Sequence, residues 1–547
     1  MIFATWPADD AEGLILAHSI RLPGASFRKG RRLSAGDVTA LRAAGIAEVI
    51  AIRLEPGDCP EDEAASRIAR AAAGTGLGVT EPFTGRVNLI AAEAGVLVVD
   101  RARLDEINLI DEAITIATLP PFAAVEPRQM LATVKIIPFA APEAAVLAAE
   151  KLARAGADAL IRLAPFRPRR AGLIQTELPS IKSSVLDKTE GVLADRMTGV
   201  GGELAFSSRT PHKVPPLAQA IRDQLARGLS PILIAGASAI TDRRDVIPAA
   251  IEAVGGVVEH FGMPVDPGNL MLLGRVGDVP VIGLPGCARS PKVNGFDWVL
   301  QRIAADIPVT RRDIMAMGAG GLLTEIASRP QPREGSPPPA PVQRASRIGA
   351  ILLAAGQSRR MGRENKLLLA FQGRPLAVHA LTALLDAGVE RPVLAVTGHQ
   401  ADQVNSVLGA AAPADCVQFL HNPDYAAGLS TSLATGLSAI PAEWDGAFVM
   451  LGDMPGVDAR TLKRMIAAFN PLEGRAIVVP THQGKRGNPV LWDRRFFAEM
   501  RMLSGDSGAK HLIGEYADLV AEVEMETDGV LVDLDTPEAL AAYRSRG

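Results

Sequence analysis

The sequence predicts an α/β protein built in two parts, and three observations carry that reading. Apolar runs stop abruptly at Gly-led loops in two places, residues 231–235 before Gly236 and 348–354 before Gly356. Strands behave this way at the carboxyl edge of a doubly wound sheet, where ligands bind. Short β-like runs alternate with helical periodicity along much of the chain, the pattern of strands covered by helices. Residues 329–346 are rich in proline and poor in apolar side chains. They build neither helix nor central strand and read as an extended, semi-rigid linker.

At 547 residues the chain is too long for one core. The expected division is an N-terminal α/β region over 1–170, a second α/β domain over 171–328, the linker 329–346, and a Rossmann-like domain over 347–547. Apolar residues make up 48% and charged residues 22%, the balance of a globular protein. Aromatics are only 4%, so the cores rest on Ala, Leu, Val and Ile. A net charge of −4 argues against nucleic acid as a partner and leaves phosphate recognition to local basic clusters. No apolar stretch of about 18 residues predicts a membrane span. The opening residues lack the basic and apolar regions of a signal peptide. Cys59, Cys287 and Cys416 are too scattered for a disulfide or zinc framework, and a cytoplasmic location is expected.

Taken in order, Ser34 is placed to cap a helix reaching residue 44, which Gly45 ends, with a strand over 46–52. Residues 142–155 read as an alanine-rich helix with Pro142 in its first turn. From 171 the expected order is a strand at 172–176, helices at 183–197 and 217–227, a buried strand at 231–235 and a helix at 247–254. Two short strands joined at Gly277-Asp278 and a Pro285-Gly286 turn follow. The C-terminal part reads as strand 348–354, helix 376–387, strand 392–398, helix 402–408 and strand 417–421. An apolar strand from Gly446, a strand at 477–480 and a last helix at 537–543 complete it.

The stretch Leu353-Ala-Ala-Gly-Gln-Ser-Arg-Arg-Met-Gly-Arg-Glu-Asn-Lys366 carries the clearest chemistry. It lacks the Gly-Lys-Ser/Thr ending of a P-loop and is not G-x-G-x-x-G. It still has the parts of a phosphate cradle. Gly356 lets backbone approach a ligand closely, and Arg359, Arg360 and Lys366 place positive charge beside it. A second signal is Gly446-Ala-Phe-Val-Met-Leu-Gly-Asp-Met-Pro455. Here an apolar strand delivers Asp453 to the sheet edge, where a carboxylate can hold Mg²⁺ against a triphosphate. A third is Asn422-Pro-Asp-Tyr-Ala-Ala-Gly-Leu-Ser-Thr-Ser432, in which Ser430 and Ser432 open a helix whose N–H groups can receive an anion.

Together these motifs resemble the nucleotidyltransferases that attach a nucleotide to molybdopterin, the molybdenum cofactor cytidylyl- and guanylyltransferases. The resemblance implies catalytic roles for Lys366, Arg359 and Arg360. It implies nucleotide contacts from Ala354, Ala355, Gly356, Gly362, Ser430 and Ser432, and Mg²⁺ ligands at Asp453 and Asp535, the latter in Val532-Asp-Leu-Asp-Thr-Pro537. The Gly484-Lys-Arg-Gly-Asn-Pro-Val490 run resembles an acceptor-facing motif, which places Asn488 near the pterin. Ser504-Gly-Asp-Ser-Gly-Ala-Lys510 matches another family segment. Ala354-Ala355-Gly356 is the cytidylyltransferase form of the first motif.

The second domain resembles the molybdopterin-binding domain of the molybdenumtransferase and molybdopterin adenylyltransferase families. The likeness lies in Gly236-Ala-Ser-Ala-Ile-Thr-Asp242 and in Gly283-Leu-Pro-Gly286. It implies pterin contacts from Ser238, Asp242, Pro285 and Gly286. The family's two lysines before the second motif are replaced within Val265-Asp-Pro-Gly-Asn269, and its Asn-Pro by Cys287-Ala288. Binding of the cofactor is therefore expected there rather than molybdate insertion. The combined expectation is a fused enzyme that transfers CMP from CTP to molybdopterin, with a client molybdoenzyme as a further partner. A guanylyltransferase and a non-catalytic cofactor carrier are the alternatives.

Overall fold

The computed structural model describes residues 1–22, 27–179, 181–323, 344–357, 365–503, 509–532 and 534, with the backbone of 25–26. Arg359, Arg360, Gly362 and Asp535 lie outside the described residues. So do most of the linker, the segment 504–508 and the expected last helix.

The N-terminal region is a set of antiparallel sheets. Ile2–Pro7 pairs with Glu48–Arg53. Between them the helix Ala35–Ala43 starts where Ser34 accepts from the Asp37 N–H at 3.2 Å and Asp37 accepts from the Ser34 N–H at 3.0 Å, a reciprocal cap. Arg86–Ala91 lies between Met130–Ile136 and Leu77–Val79. Helices Glu61–Ala72 and Glu143–Arg154 cover this layer through small side chains, Ala65, Ala69 and Ala72 among them. Pro142 stands at the N-cap, one place before the first turn. The mixed α/β content agrees with the sequence pattern. The antiparallel pairing does not follow from it, because side-chain alternation is the same for either direction.

The second unit is a doubly wound sheet. Its elements are β1 (Arg170–Glu177), α1 (Ser183–Gly199), β2 (Glu203–Pro211), α2 (Val214–Ala226), β3 (Ile232–Ala235), α3 (Val246–Ala253), β4 (Val257–Phe261), β5 (Leu272–Val276), β6 (Val279–Gly283) and α4 (Gly295–Ala304). The strand order is β2-β1-β3-β6-β5-β4. The first four strands are parallel, and β5 and β4 are antiparallel additions. Every residue of β3 is buried, so it reads in sequence as an unbroken apolar run.

The C-terminal unit comprises β7 (Ile348–Ala354), α5 (Leu376–Asp386), β8 (Val393–Thr397), α6 (Ala401–Ala411), β9 (Val417–His421), α7 (Leu429–Ser438), β10 (Gly446–Leu451), α8 (Ala459–Ala468), β11 (Ile477–His482), β12 (Lys485–Arg486), β13 (Val490–Asp493) and β14 (Val520–Glu524). Its sheet runs β9-β8-β7-β10-β13-β11-β12, with β14 beside β11. Strands β9, β8, β7 and β10 are parallel, and β13 runs against them. The register sets Ala354 opposite Thr397 and Leu353 opposite Leu451, so three strand ends meet at one edge. No helix among the described residues is long and apolar enough to cross a membrane.

Gly349 fixes how β7 packs. A Cβ there would fall 2.0 Å from the ring of Trp444, which is 1% exposed. Gly349→Ala is expected to lower stability by about 1–3 kcal/mol or more, as overpacked cores do. Thermal melting of the variant checks this, with unchanged melting as the contrary result.

Candidate active site

The edge where β7, β8 and β10 end gathers most of the expected site. Gly452, directly after β10, donates its N–H to Leu353 O at 3.0 Å, and the chain then turns Asp453 back over the edge. An added Cβ at Gly452 would press on Leu367 at 3.2 Å and on Leu353 O at 3.3 Å, so the turn is tight. From the other side Asn365 caps a short 3-10 turn over Lys366–Leu368, accepting from the Leu367 N–H at 3.1 Å. Asn365 is 5% exposed and also donates to His399 O at 3.5 Å. His399 in turn donates its N–H to Ala355 O at 3.3 Å. These bonds stitch the ends of β7 and β8 to the residue before Lys366.

The result is an ion pair between the Lys366 ammonium and the Asp453 carboxylate. Their side chains are 13% and 8% exposed. Ala354 and Ala355 are buried beside it. Among the described residues, a Cβ built on Gly356 would meet no atom within 4 Å. That side of the backbone is one a ligand's phosphate can approach.

Helix α7 begins close by. Asn422, 2% exposed, donates its backbone N–H to Thr397 O at 2.8 Å. Its side chain donates to Thr431 at 3.0 Å and Ser432 at 2.9 Å and accepts from the Asp424 N–H at 3.0 Å. Gly428 is the N-cap, at φ +123°, a backbone region that glycine alone enters easily. No side chain caps α7, so its first-turn N–H groups are left to a ligand or water. Ser430 and Ser432 lie inside the helix and are both 4% exposed, and the Ser432 hydroxyl is already held by Asn422. Asn422 and Asn365 stand within the sequence motifs without an assigned role there, because their bonds to other strand ends, Thr397 O and His399 O, are set by the fold. Asn488 also stands with this unit. Its N–H donates to Val530 O at 2.9 Å, and the neighbouring Gly529 packs on Gly456, just past Asp453.

A second site lies in the doubly wound sheet. A cavity of about 480 Å³ opens where β3 and β6 end, against the first half of α1. Ser238, Pro285 and Gly286 line it. Asp242 does not. It is exposed and pairs with Arg244 at 2.8 Å, which holds its carboxyl below the usual range. The cavity wall instead includes Lys182 and Arg289, which sequence reasoning passed over. The only trace of Arg289 was its place just after Gly283-Leu-Pro-Gly286.

With both sites described, the comparisons with known proteins bear on the first. Residues 350–520 match the MobA-like NTP transferase domain family. Residues 5–53 match a domain of unknown function, DUF8806. The molybdenum cofactor cytidylyltransferase of Escherichia coli (strain K12) is 27% identical over 203 residues, 37% of this chain and 97% of that protein. The nicotine blue oxidoreductase of Paenarthrobacter nicotinovorans is 27% identical over 211 residues, 35% of this chain and 94% of that protein. The crystal structure of Rv0371c from Mycobacterium tuberculosis H37Rv is 26% identical, covering 37% of this chain and all of that one with a TM-score of 0.33. Residues 350–520 are thus similar to nucleotidyltransferase domains of the MobA-like kind.

Asn422→Ala removes two donors and one acceptor from the turn before α7. It is expected to cost about 1–3 kcal/mol, the range for stranding buried polar partners, and to raise the KM for nucleotide. Chemical denaturation and initial-rate kinetics read the two effects separately.

Proposed function

We propose that the chain transfers a nucleotide, CMP from CTP, to the terminal phosphate of molybdopterin. The observation that carries the proposal is the Lys366–Asp453 pair at the edge of the sheet, beside the open face of Gly356. Two relatives of equal identity carry different names, a transferase and an oxidoreductase, so similarity alone does not choose between chemistries. A largely buried lysine and carboxylate at the sheet edge, next to Gly356, suit phosphoryl chemistry.

Molybdopterin's phosphate oxygen attacks the α-phosphorus of CTP, the bond to the β-phosphate oxygen breaks, and pyrophosphate leaves. The attacking phosphate is ionised at neutral pH, so the site needs alignment and charge neutralisation rather than a strong base. Lys366 supplies positive charge to the triphosphate, and the uncapped start of α7 supplies N–H donors. Arg359 and Arg360 add to that charge in this reading. Among the described residues no group of three or more His, Cys, Asp or Glu is placed to hold a metal alone. Mg²⁺ does not need one, since it binds through one or two carboxylates with phosphate oxygens and water. Asp453 fits as such a ligand, with Asp535 proposed as the second, and bound Mg²⁺ would neutralise charge on the triphosphate. Ala355 in place of a second glycine favours a pyrimidine nucleotide. The cavity at Ser238 and Pro285 is the proposed holding site for the pterin, from which a client molybdoenzyme would later be served.

Purified protein with Mg²⁺, molybdopterin and each of CTP, GTP and ATP tests this by pyrophosphate release. Release with CTP is expected. Efficient turnover of GTP would overturn the base assignment and keep the transferase. Lys366→Ala is expected to cut the rate by about 10²–10³, the usual loss on removing one charge-stabilising group. Cofactor delivery that survives this change without any transfer in the parent protein would establish a carrier instead.

A further inference from the structure

Among the described residues, the cavity between β3, β6 and α1 is lined by two cations, Lys182 and Arg289, and by no carboxylate. Ser238, Thr189 and the start of α1 complete its polar wall, and Val185, Ala235 and Leu284 belong to its apolar part. Arg289 is half-buried and makes one bond, to Gly236 O at 2.7 Å. Burial lowers its pKa, and no neighbouring carboxylate offsets the effect. A guanidinium withdrawn from water with most of its donors unused is a prepared anion site. Helix α1 has no side-chain cap at Lys182, so its first N–H groups add to the donors.

Ser238 belongs to the same set. Thr176, fully buried at the end of β1, accepts the Ala237 N–H at 2.7 Å, and its hydroxyl lies 2.8 Å from His212 Nδ1. Nε2 of the same ring lies 3.2 Å from Ser238 Oγ, so the imidazole ties the Ser238 hydroxyl to β1 at the cavity wall.

We propose that Arg289 makes this cavity selective for a phosphomonoester over a phosphodiester, so that it takes the acceptor before nucleotidyl transfer and not the product. The inference rests on the transferase reading above. A monoester carries about two negative charges on three terminal oxygens at neutral pH, matched by two cations, a hydroxyl and helix N–H groups. Once a nucleotide is attached, the same phosphorus keeps two terminal oxygens and one charge, and the added group must share a cavity of about 480 Å³.

The test is calorimetric titration of the full chain with phenyl phosphate and with methyl phenyl phosphate, which differ by one methyl ester. Phenyl phosphate is expected to bind at least about tenfold more tightly. Arg289→Gln is expected to weaken it by at least about tenfold, the scale of one charge-assisted contact, while CTP affinity is unchanged. Equal affinity for the two esters overturns the proposal, and so does unchanged binding in Arg289→Gln. If the Gln variant melts early, Arg289→Lys replaces it, since it keeps the charge and loses the fork. A loss of at least about threefold there supports the proposal, and no loss overturns it. Pyrophosphate release that persists without selective monoester binding removes this inference alone. Selective binding without pyrophosphate release under any nucleotide removes the transferase reading instead.

Discussion

The C-terminal unit is organised around two opposite charges that the fold withdraws from water together. Burying an ammonium and a carboxylate costs several kcal/mol of hydration per ion, and their mutual attraction roughly offsets this. An apolar pair of similar size would hold the sheet edge as well, so the Lys366–Asp453 pair contributes little net stability. What it requires is placement. Asp453 depends on the register of β10 against β7 and on the tight turn at Gly452. Lys366 depends on the turn that Asn365 caps and on the bonds from Asn365 and His399 across the strand ends. Three strands and two loops are fixed by the need to bring one charge to the other.

How much of this could be read from sequence follows from what kind of fact each feature is. Strand β7 matches the expected bounds because a parallel strand covered on both faces appears as a continuous apolar run. Asp453 and Lys366 were legible for the same reason, since each sits a fixed distance beyond such a strand. Partners were not legible. Nothing in the local sequence ties Asn365 to His399 or Thr176 to His212, because these bonds join separate turns. Asp242 stands at the expected place in its motif, but its exposed carboxylate pairs with Arg244 and does not line the cavity. The antiparallel sheets before residue 166 escaped because strand direction leaves no mark on side-chain alternation.

The N-terminal and C-terminal parts also meet directly. Arg128 pairs with Glu390 and donates to Ser346 O at 2.9 Å, while Ala345 donates to Arg128 O at 2.8 Å. Arg28 reaches Ala517 O at 3.1 Å, and Arg86 lies 3.5 Å from Glu473. Phe83 adds an apolar contact, packing against the C-terminal core with Arg475 over its ring. These contacts add to the covalent tether, which already raises the effective concentration of one site at the other.

The two sites differ in a way that sorts their ligands. In the cavity, Arg289 has no carboxylate beside it, so a lone phosphate ester meets uncompensated positive charge. At the sheet edge Lys366 is already neutralised by Asp453, and an anion arriving alone must compete with that carboxylate. In the proposed reading, a triphosphate accompanied by a divalent cation would not face the same competition, because the cation would take up Asp453 while the phosphates take up Lys366. On that proposal the monoester would favour the site without a carboxylate and the nucleotide the site with one. The charges already present would then disfavour each ligand in the other's site and keep acceptor and donor apart until they react.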